Sequence, residues 1–264
     1  MLIIGERINA TRKPIAEALK NRDAAHLQDE ATTQADAGAD FLDVNTALSP
    51  ETEQDLMVWA VETVREVTDT PLSIDSANPE VARAGLALLP KGEAFLNSIS
   101  AETGRLDGML PLLEEFEPRV VALAMDDQGM PGSSDDRWRA LETLFARTDA
   151  AGVPRDRIFV DPLVRPVATN PEQAAQCLAM IREIAEKGQG AGTTMGLSNI
   201  SYGLPERRHL NRTFLAMACG AGLTGAILDP LEPGLMATVM ASACLTGQDD
   251  YCMTYIGAQR AGRL

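Results

Sequence analysis

A chain of 264 residues with 45% hydrophobic and 23% charged side chains is long enough to bury a sizeable core, and its composition excludes a disordered or collagen-like polymer. A formal charge of -15 opposes the phosphate backbone and excludes DNA and RNA as natural partners. No apolar run approaches the roughly 20 residues of a membrane-spanning helix, MLIIGERIN is too short in apolar core for a signal peptide, and Cys177, Cys219, Cys244 and Cys252 form no Cys-x-x-Cys pair. The expectation is a cytoplasmic protein with reduced thiols, no membrane association and no zinc site.

In chain order, apolar runs predict strands at 2–5, 41–44, 71–75, 94–97, 119–125, 157–161, 193–197 and 224–228. Between them, apolar residues spaced by three and four predict helices. One carries residues 32–37, and the others fall at 51–67, 79–88, 105–116, 135–151, 171–187, 208–221 and 233–246. Leu141, Leu144, Phe145 and Thr148 show the spacing. Ser49-Pro50, Asn78-Pro79 and Asn170-Pro171 each read as a capping side chain before a proline in the first turn. Gly38, Gly152 and Gly188 read as left-handed stops.

Strand then helix, repeated eight times without a linker, predicts one α/β domain over 1–264: a (β/α)8 TIM barrel. An open doubly wound sheet is the structural rival. Eight strands of similar length favour closure, and no G-x-G-x-x-G follows any strand. Gly188, Gly190 and Gly192 alternate, but after a helix.

In such a barrel the polar C-terminal ends of the strands meet at one mouth, where the chemistry sits. The first strand would bring Glu6, Arg7 and Asn9, the second Asp43 and Asn45, and the third Asp75 and Ser76. Later strands would add Asn97, Ser98, Asp126, Asp127, Asp161, Ser198, Asn199 and Asp229. This set holds no lysine, histidine or cysteine, which disfavours Schiff-base and Ser-His or thiol nucleophilic chemistry. It suits a flat polar heterocycle, since carboxylates accept paired N-H donors and asparagine both donates and accepts. Magnesium held by the carboxylates is an alternative. Singly, Asp75 or Asn78 reads as a helix cap and Asp161 as a turn residue. Capping does not account for a mouth without lysine or histidine.

The motifs GERIN (5–9), DVN (43–45), IDS (74–76), LNS (96–98) and DPL (161–163), with MGLSNISYGLPERRHLNRTF (195–214), carry a resemblance. From Leu2 to about Tyr255 the chain resembles the pterin-binding methyltransferase family. That family includes the methyltetrahydrofolate:corrinoid/iron-sulfur protein methyltransferases and the folate barrel of cobalamin-dependent methionine synthase.

The resemblance implies a TIM barrel, usually homodimeric, that moves a methyl group between tetrahydrofolate and the cobalt of a corrinoid. It implies pterin contacts at Asp75, Asn97, Asp161 and Asn199, further contacts at Glu6 and Arg207, and Gly196 and Ser198 flanking the ring. Asn199 would be the catalytic residue, because an amide that reorients can donate to the methyl-bearing ring nitrogen as its bond to carbon breaks. Tetrahydrofolate or 5-methyltetrahydrofolate would be the substrate.

Neither His26 nor His209 stands in an Asp-x-His-x-x-Gly motif, so the cobalamin would come on a separate corrinoid protein. ISYGLPERR, with Tyr202, is closer to the methionine-synthase style than to the acetogenic enzymes. Dihydropteroate synthase shares barrel and pocket, but normally places a lysine and arginine pair after Gly-Phe-Ser where Asn199 stands here. A non-catalytic folate-binding protein is the alternative from another class. The direction of transfer stays open.

Overall fold

The computed structural model describes residues 1–232, 234–262 and 264. The elements run β1 (Leu2–Asn9), α1 (Lys13–Asn21), α2 (Ala24–Asp36), β2 (Phe41–Asn45), α3 (Glu53–Arg65), β3 (Leu72–Asp75), α4 (Pro79–Leu86), β4 (Phe95–Ala101) and α5 (Thr103–Phe116). They continue with β5 (Arg119–Asp126), α6 (Ser134–Ala150), β6 (Ile158–Asp161), α7 (Gln173–Lys187), β7 (Gly192–Thr193), α8 (Arg207–Ala221), β8 (Gly225–Leu228), α9 (Leu235–Leu245) and α10 (Met253–Arg260).

All strand pairs are parallel, in the order β7-β6-β5-β4-β3-β2-β1-β8. The last seam, β7 to β8, closes differently. Thr193 N donates to Thr224 Oγ1 at 2.7 Å, Thr224 Oγ1 donates to Thr193 O at 2.9 Å, and a single parallel bridge joins Gly196 to Ile227. The chain is thus a (β/α)8 TIM barrel.

Period-two alternation decides what fills the barrel. Ile4, Phe41, Phe95, Val121 and Phe159 form one buried cluster inside it, with Phe95 edge-on to Phe41 at 4.9 Å and to Phe159 at 5.0 Å between ring centroids. Burying each ring contributes about 1.5–3 kcal/mol, and each edge contact about 0.5–1.5 more. A larger cluster lies between the strands and the outer helices, with Leu42, Val44, Ile74 and Leu96 facing Met57, Val61 and Leu86. Gly192 is glycine because an added Cβ would come within 2.8 Å of the Phe159 ring and of Thr224 Oγ1.

Several predicted boundaries move. The seventh strand ends at Thr193 instead of residue 197, and Leu197–Ser201 forms a 3-10 turn. Asn78 caps α4 as expected, accepting from Glu80 N at 3.0 Å. Ser49 and Asn170 do not cap their helices. The Ser49 carbonyl accepts from Thr52 and Glu53, and α3 starts at Glu53. Asn170 Oδ1 accepts from Glu172 N, and α7 starts at Gln173. Each proline belongs to a lead-in turn, because the side chain before it bonds that turn.

Gly38 (φ 95°) and Gly152 (φ 70°) are left-handed stops, but Gly188 is not. A Cβ at Gly188 would meet Ile184 O at 2.5 Å, and the left-handed residues are Gln189 and Gly190. The helix expected at 233–246 begins at Leu235 after Gly234, and Pro233 lies outside the described residues. Among the described residues no helix is long and apolar enough to cross a membrane.

Candidate active site

The alternation that points Phe41, Phe95 and Phe159 inward carries the residues two positions on into the next layer. Asp43, Asn97 and Asp161 therefore stand above the aromatic floor, and Asn45 and Asp75 share their parity. Register sets Asn45 beside Asp75 and Asp75 beside Asn97. A register shift between Gly5 and Ile8 in β1 lets consecutive residues, Glu6 and Arg7, both reach the mouth.

The resulting cleft has a volume of about 300 Å³ and is lined by Glu6, Arg7, Asn9, Thr11, Arg12, Asp43, Asp75, Asn97, Gly196, Ser198, Asn199, Ile227 and Asp229. Roomier grooves of about 550 and 620 Å³ lie among the outer helices, lined for example by Leu113, Val153 and Arg157 or by Trp138, Phe145 and Lys187. Those grooves gather only neighbouring helices and the loops after them. The mouth gathers groups from strands around the barrel, as ligand sites do.

Asn45 Nδ2 donates to Asp75 Oδ2 at 3.0 Å, Ser73 Oγ donates to Asp43 Oδ1 at 2.6 Å, and Asn97 Nδ2 donates to the same Asp43 oxygen at 3.3 Å. Ser198 Oγ donates to Glu6 Oε1 at 2.8 Å. Arg7 pairs with Glu30 and donates to Asp229 at 2.8 Å, while Arg12 donates to Arg7 O at 2.6 Å. Burial raises the Glu6, Asp75 and Asp43 carboxyls above their ordinary range, and the Asp75 charge adds to the rise at Asp43.

Asp161 accepts from Leu163 N at 2.7 Å, and Gly196 N also donates to it. Arg137, 2% exposed, braces that turn by donating to Pro162 O at 3.1 Å. Asn199 stands at the rim of the 3-10 turn, exposed, with no side-chain hydrogen bond among the described residues. A Cβ at Gly196 would come 3.2 Å from Asn199 Nδ2, so glycine leaves that amide room to turn. Among the described residues no group of three or more histidine, cysteine or acidic side chains is placed to hold a metal ion.

Some expected mouth residues point elsewhere. Asp126 holds Arg139 and the Gln128 amide, and Asp127 bonds Thr103 at the start of α5, because β5 runs on past the cleft. Buried Ser76 donates to Glu53, and Ser98 accepts from Arg105. Arg207 lies behind the turn, donating to Ser201 Oγ and Ser198 O, and does not line the cleft. Thr11 and Arg12 also line it, beyond the end of β1, in the lead-in to α1. Pro14, inside its first turn, is the sequence signal for that helix.

Asp161 yields a stability prediction. Burial pushes its carboxyl up to about 6, whereas an unfolded aspartate titrates near about 3.9. Between those limits the folded chain holds a proton that the unfolded chain has lost, so stability falls as pH rises. The deficit is complete, at about 3 kcal/mol, above the upper limit, and absent below the lower one. Asp161→Asn should therefore resist urea better than wild type in ligand-free protein near pH ~7, the two curves converging toward pH ~4. Equal midpoints at both pH values would remove burial as the cause.

The chain matches the sequence profile described as "Pterin binding enzyme" over residues 5–229. It is 32% identical over 266 residues to "Methylcorrinoid:tetrahydrofolate methyltransferase" of Eubacterium limosum, covering 100% of this chain and 98% of that protein. It is also 32% identical over 241 residues to a methionine synthase of Mycobacterium leprae (strain TN), 86% of this chain but 20% of that protein. Among solved structures, the 7,8-dihydropteroate synthase of Vibrio fischeri ES114 superposes with a TM-score of 0.72 at 18% identity, covering 94% of this chain and 93% of that one, a likeness of fold. The strand-end motifs, the polar layer they build and the profile over most of the chain agree: the protein belongs to the pterin binding enzyme family.

Proposed function

We propose that this protein transfers a methyl group between tetrahydrofolate and the cobalt of a corrinoid carried by a separate protein. The observation that carries the reading is Asn199: an amide without an intramolecular partner among the described residues, given room by Gly196, at the rim of a cleft whose lining, among those residues, includes the carboxylates of Glu6, Asp43, Asp75 and Asp229 and no lysine or histidine. The relative aligned over nearly its whole length is named for transfer from a methylcorrinoid to tetrahydrofolate, and we take that direction for this chain.

Asp75, Asn97 and Asp161 anchor the polar edges of the pterin, since a carboxylate accepts ring N-H groups and an amide matches donors and acceptors. Glu6 and Ser198, bonded to each other, border the ring with Gly196. Arg207 acts from behind, holding the Ser198–Ser201 turn. Asn199 serves the methyl-bearing nitrogen. When tetrahydrofolate accepts the methyl group, the lone pair of that nitrogen forms the bond to carbon as the carbon-cobalt bond breaks and leaves its electron pair on the cobalt, and the N-H proton passes to an Asn199-held water; in reverse the same contact donates.

A homodimer is supported by the apolar residues exposed along α8, α9 and α10, among them Met217, Leu245, Met253 and Ile256. A cytoplasmic location fits the reduced cysteines.

The test is single-turnover reaction of the protein with a methylated corrinoid protein and tetrahydrofolate. The expected product is 5-methyltetrahydrofolate with demethylated corrinoid. Tight folate binding without transfer would make the chain a binding protein, and p-aminobenzoate incorporation into a pterin would make it a synthase.

A further inference from the structure

Asp43 is a deeply buried ionisable group of the mouth, 2% exposed, and methyl transfer as described gives it no task. Its Oδ1 accepts twice, from Ser73 Oγ at 2.6 Å and from Asn97 Nδ2 at 3.3 Å. The Asp43 and Asp75 carboxyls line the same cleft from the neighbouring strands β2 and β3, and among the described residues no arginine or lysine pairs with Asp43, so two buried anions side by side would repel and one proton on the pair is favoured.

The surroundings choose Asp43. Its charged neighbours are the carboxylates of Asp75 and, from β1, Glu6, while Asp75 has the Asn45 amide and the nearby Arg105 of α5 in its favour and Glu53 of α3 against it. An anion at Asp43 would be desolvated and would face two like charges.

We propose that Asp43 is a positioning residue of the pterin pocket: as a neutral acid at the base of the polar layer it donates to Asp75 and fixes the Asn97 amide with its carbonyl toward the mouth. The inference rests on the pterin reading of the cleft. One proton on the pair leaves Asp75 with a single shared charge and turns acceptors, not donors, toward the ring from β3 and β4. A ring edge made of N-H groups is complementary to that row, and an edge made of acceptors is excluded.

Two variants separate this role from simple packing. Asp43→Asn keeps the shape, a donor for Asp75 and an acceptor for Ser73 and Asn97, but cannot ionise. Asp43→Ala removes all three.

By calorimetry with tetrahydrofolate at neutral pH, the Asn variant should bind within about threefold of wild type, and the Ala variant about 10- to 100-fold more weakly. As pH rises until Asp43 ionises, wild-type affinity should fall while that of the Asn variant holds. An Asn variant as weak as the Ala variant, or an Ala variant that binds like wild type, would overturn the proposal.

Should the Ala variant fail to fold, the Asn variant and a ligand-free measurement still decide. With 13Cγ-labelled aspartate, the Asp43 signal, identified by its loss in Asp43→Asn, should be that of a protonated carboxyl at neutral pH. An ionised Asp43 there overturns the inference whether or not folate binds. Failure of wild type to bind tetrahydrofolate while Asp43 is protonated would instead overturn the proposed function.

Discussion

Asn199→Ala should slow single-turnover methyl transfer by about 100- to 1,000-fold, the equivalent of roughly 2.7–4 kcal/mol for a donor aimed at developing charge. Folate binding should change far less. Among the described residues the Asn199 side chain makes no hydrogen bond, so its removal should leave the fold and the polar layer of the mouth intact. An interaction made only as the carbon-nitrogen bond forms or breaks appears in the rate and not in ground-state affinity. A variant that transfers methyl at close to the wild-type rate would remove Asn199 from the chemistry.

Asp75→Ala should give the opposite division. Asp75 sits in register between Asn45 and Asn97, one layer above the aromatic floor, with its charge held by the Asn45 amide. Its loss should weaken tetrahydrofolate binding roughly 100-fold, as expected for one or two bonds to a charged acceptor at ~1.5–3 kcal/mol each. The rate at saturating folate should stay near wild type. Unchanged affinity would mean that the ring is anchored elsewhere, and a collapsed rate at saturation would give Asp75 a share in the chemistry.

The eight strands were legible because a buried parallel strand is a nearly unbroken apolar run, and the site was legible because each run ends in a polar residue. What periodicity conveys is which side chains share a face. It does not convey height. Asp43 and Asn45 have the same parity, yet Asp43 is buried and Asn45 is partly exposed, a difference set by strand tilt and register.

Asp126 and Asp127 match the same pattern, but one ends and the other follows a strand that continues past the cleft. Arg12 and Arg105 arrive from helix starts, so strand ends alone, which carry Arg7, do not show them. Asn199 was legible from its motif, whereas the vacant space that Gly196 leaves beside its amide is a property of folded backbone.

The barrel closes on threonine side chains and a single bridge where the other neighbouring strands share a parallel ladder. Seven joints are cooperative, and the eighth is a clasp. Local opening of a protein follows the path that breaks the fewest buried contacts. Here the seam with the fewest ladder bonds lies between β7 and β8, and the turn carrying Asn199 follows β7, while Asp75 and Asn97 sit on β3 and β4, on the opposite side of the barrel. The mouth thus sets Asp75 and Asn97 on the laddered side of the circle of strands and Asn199 beside its most sparsely bonded seam.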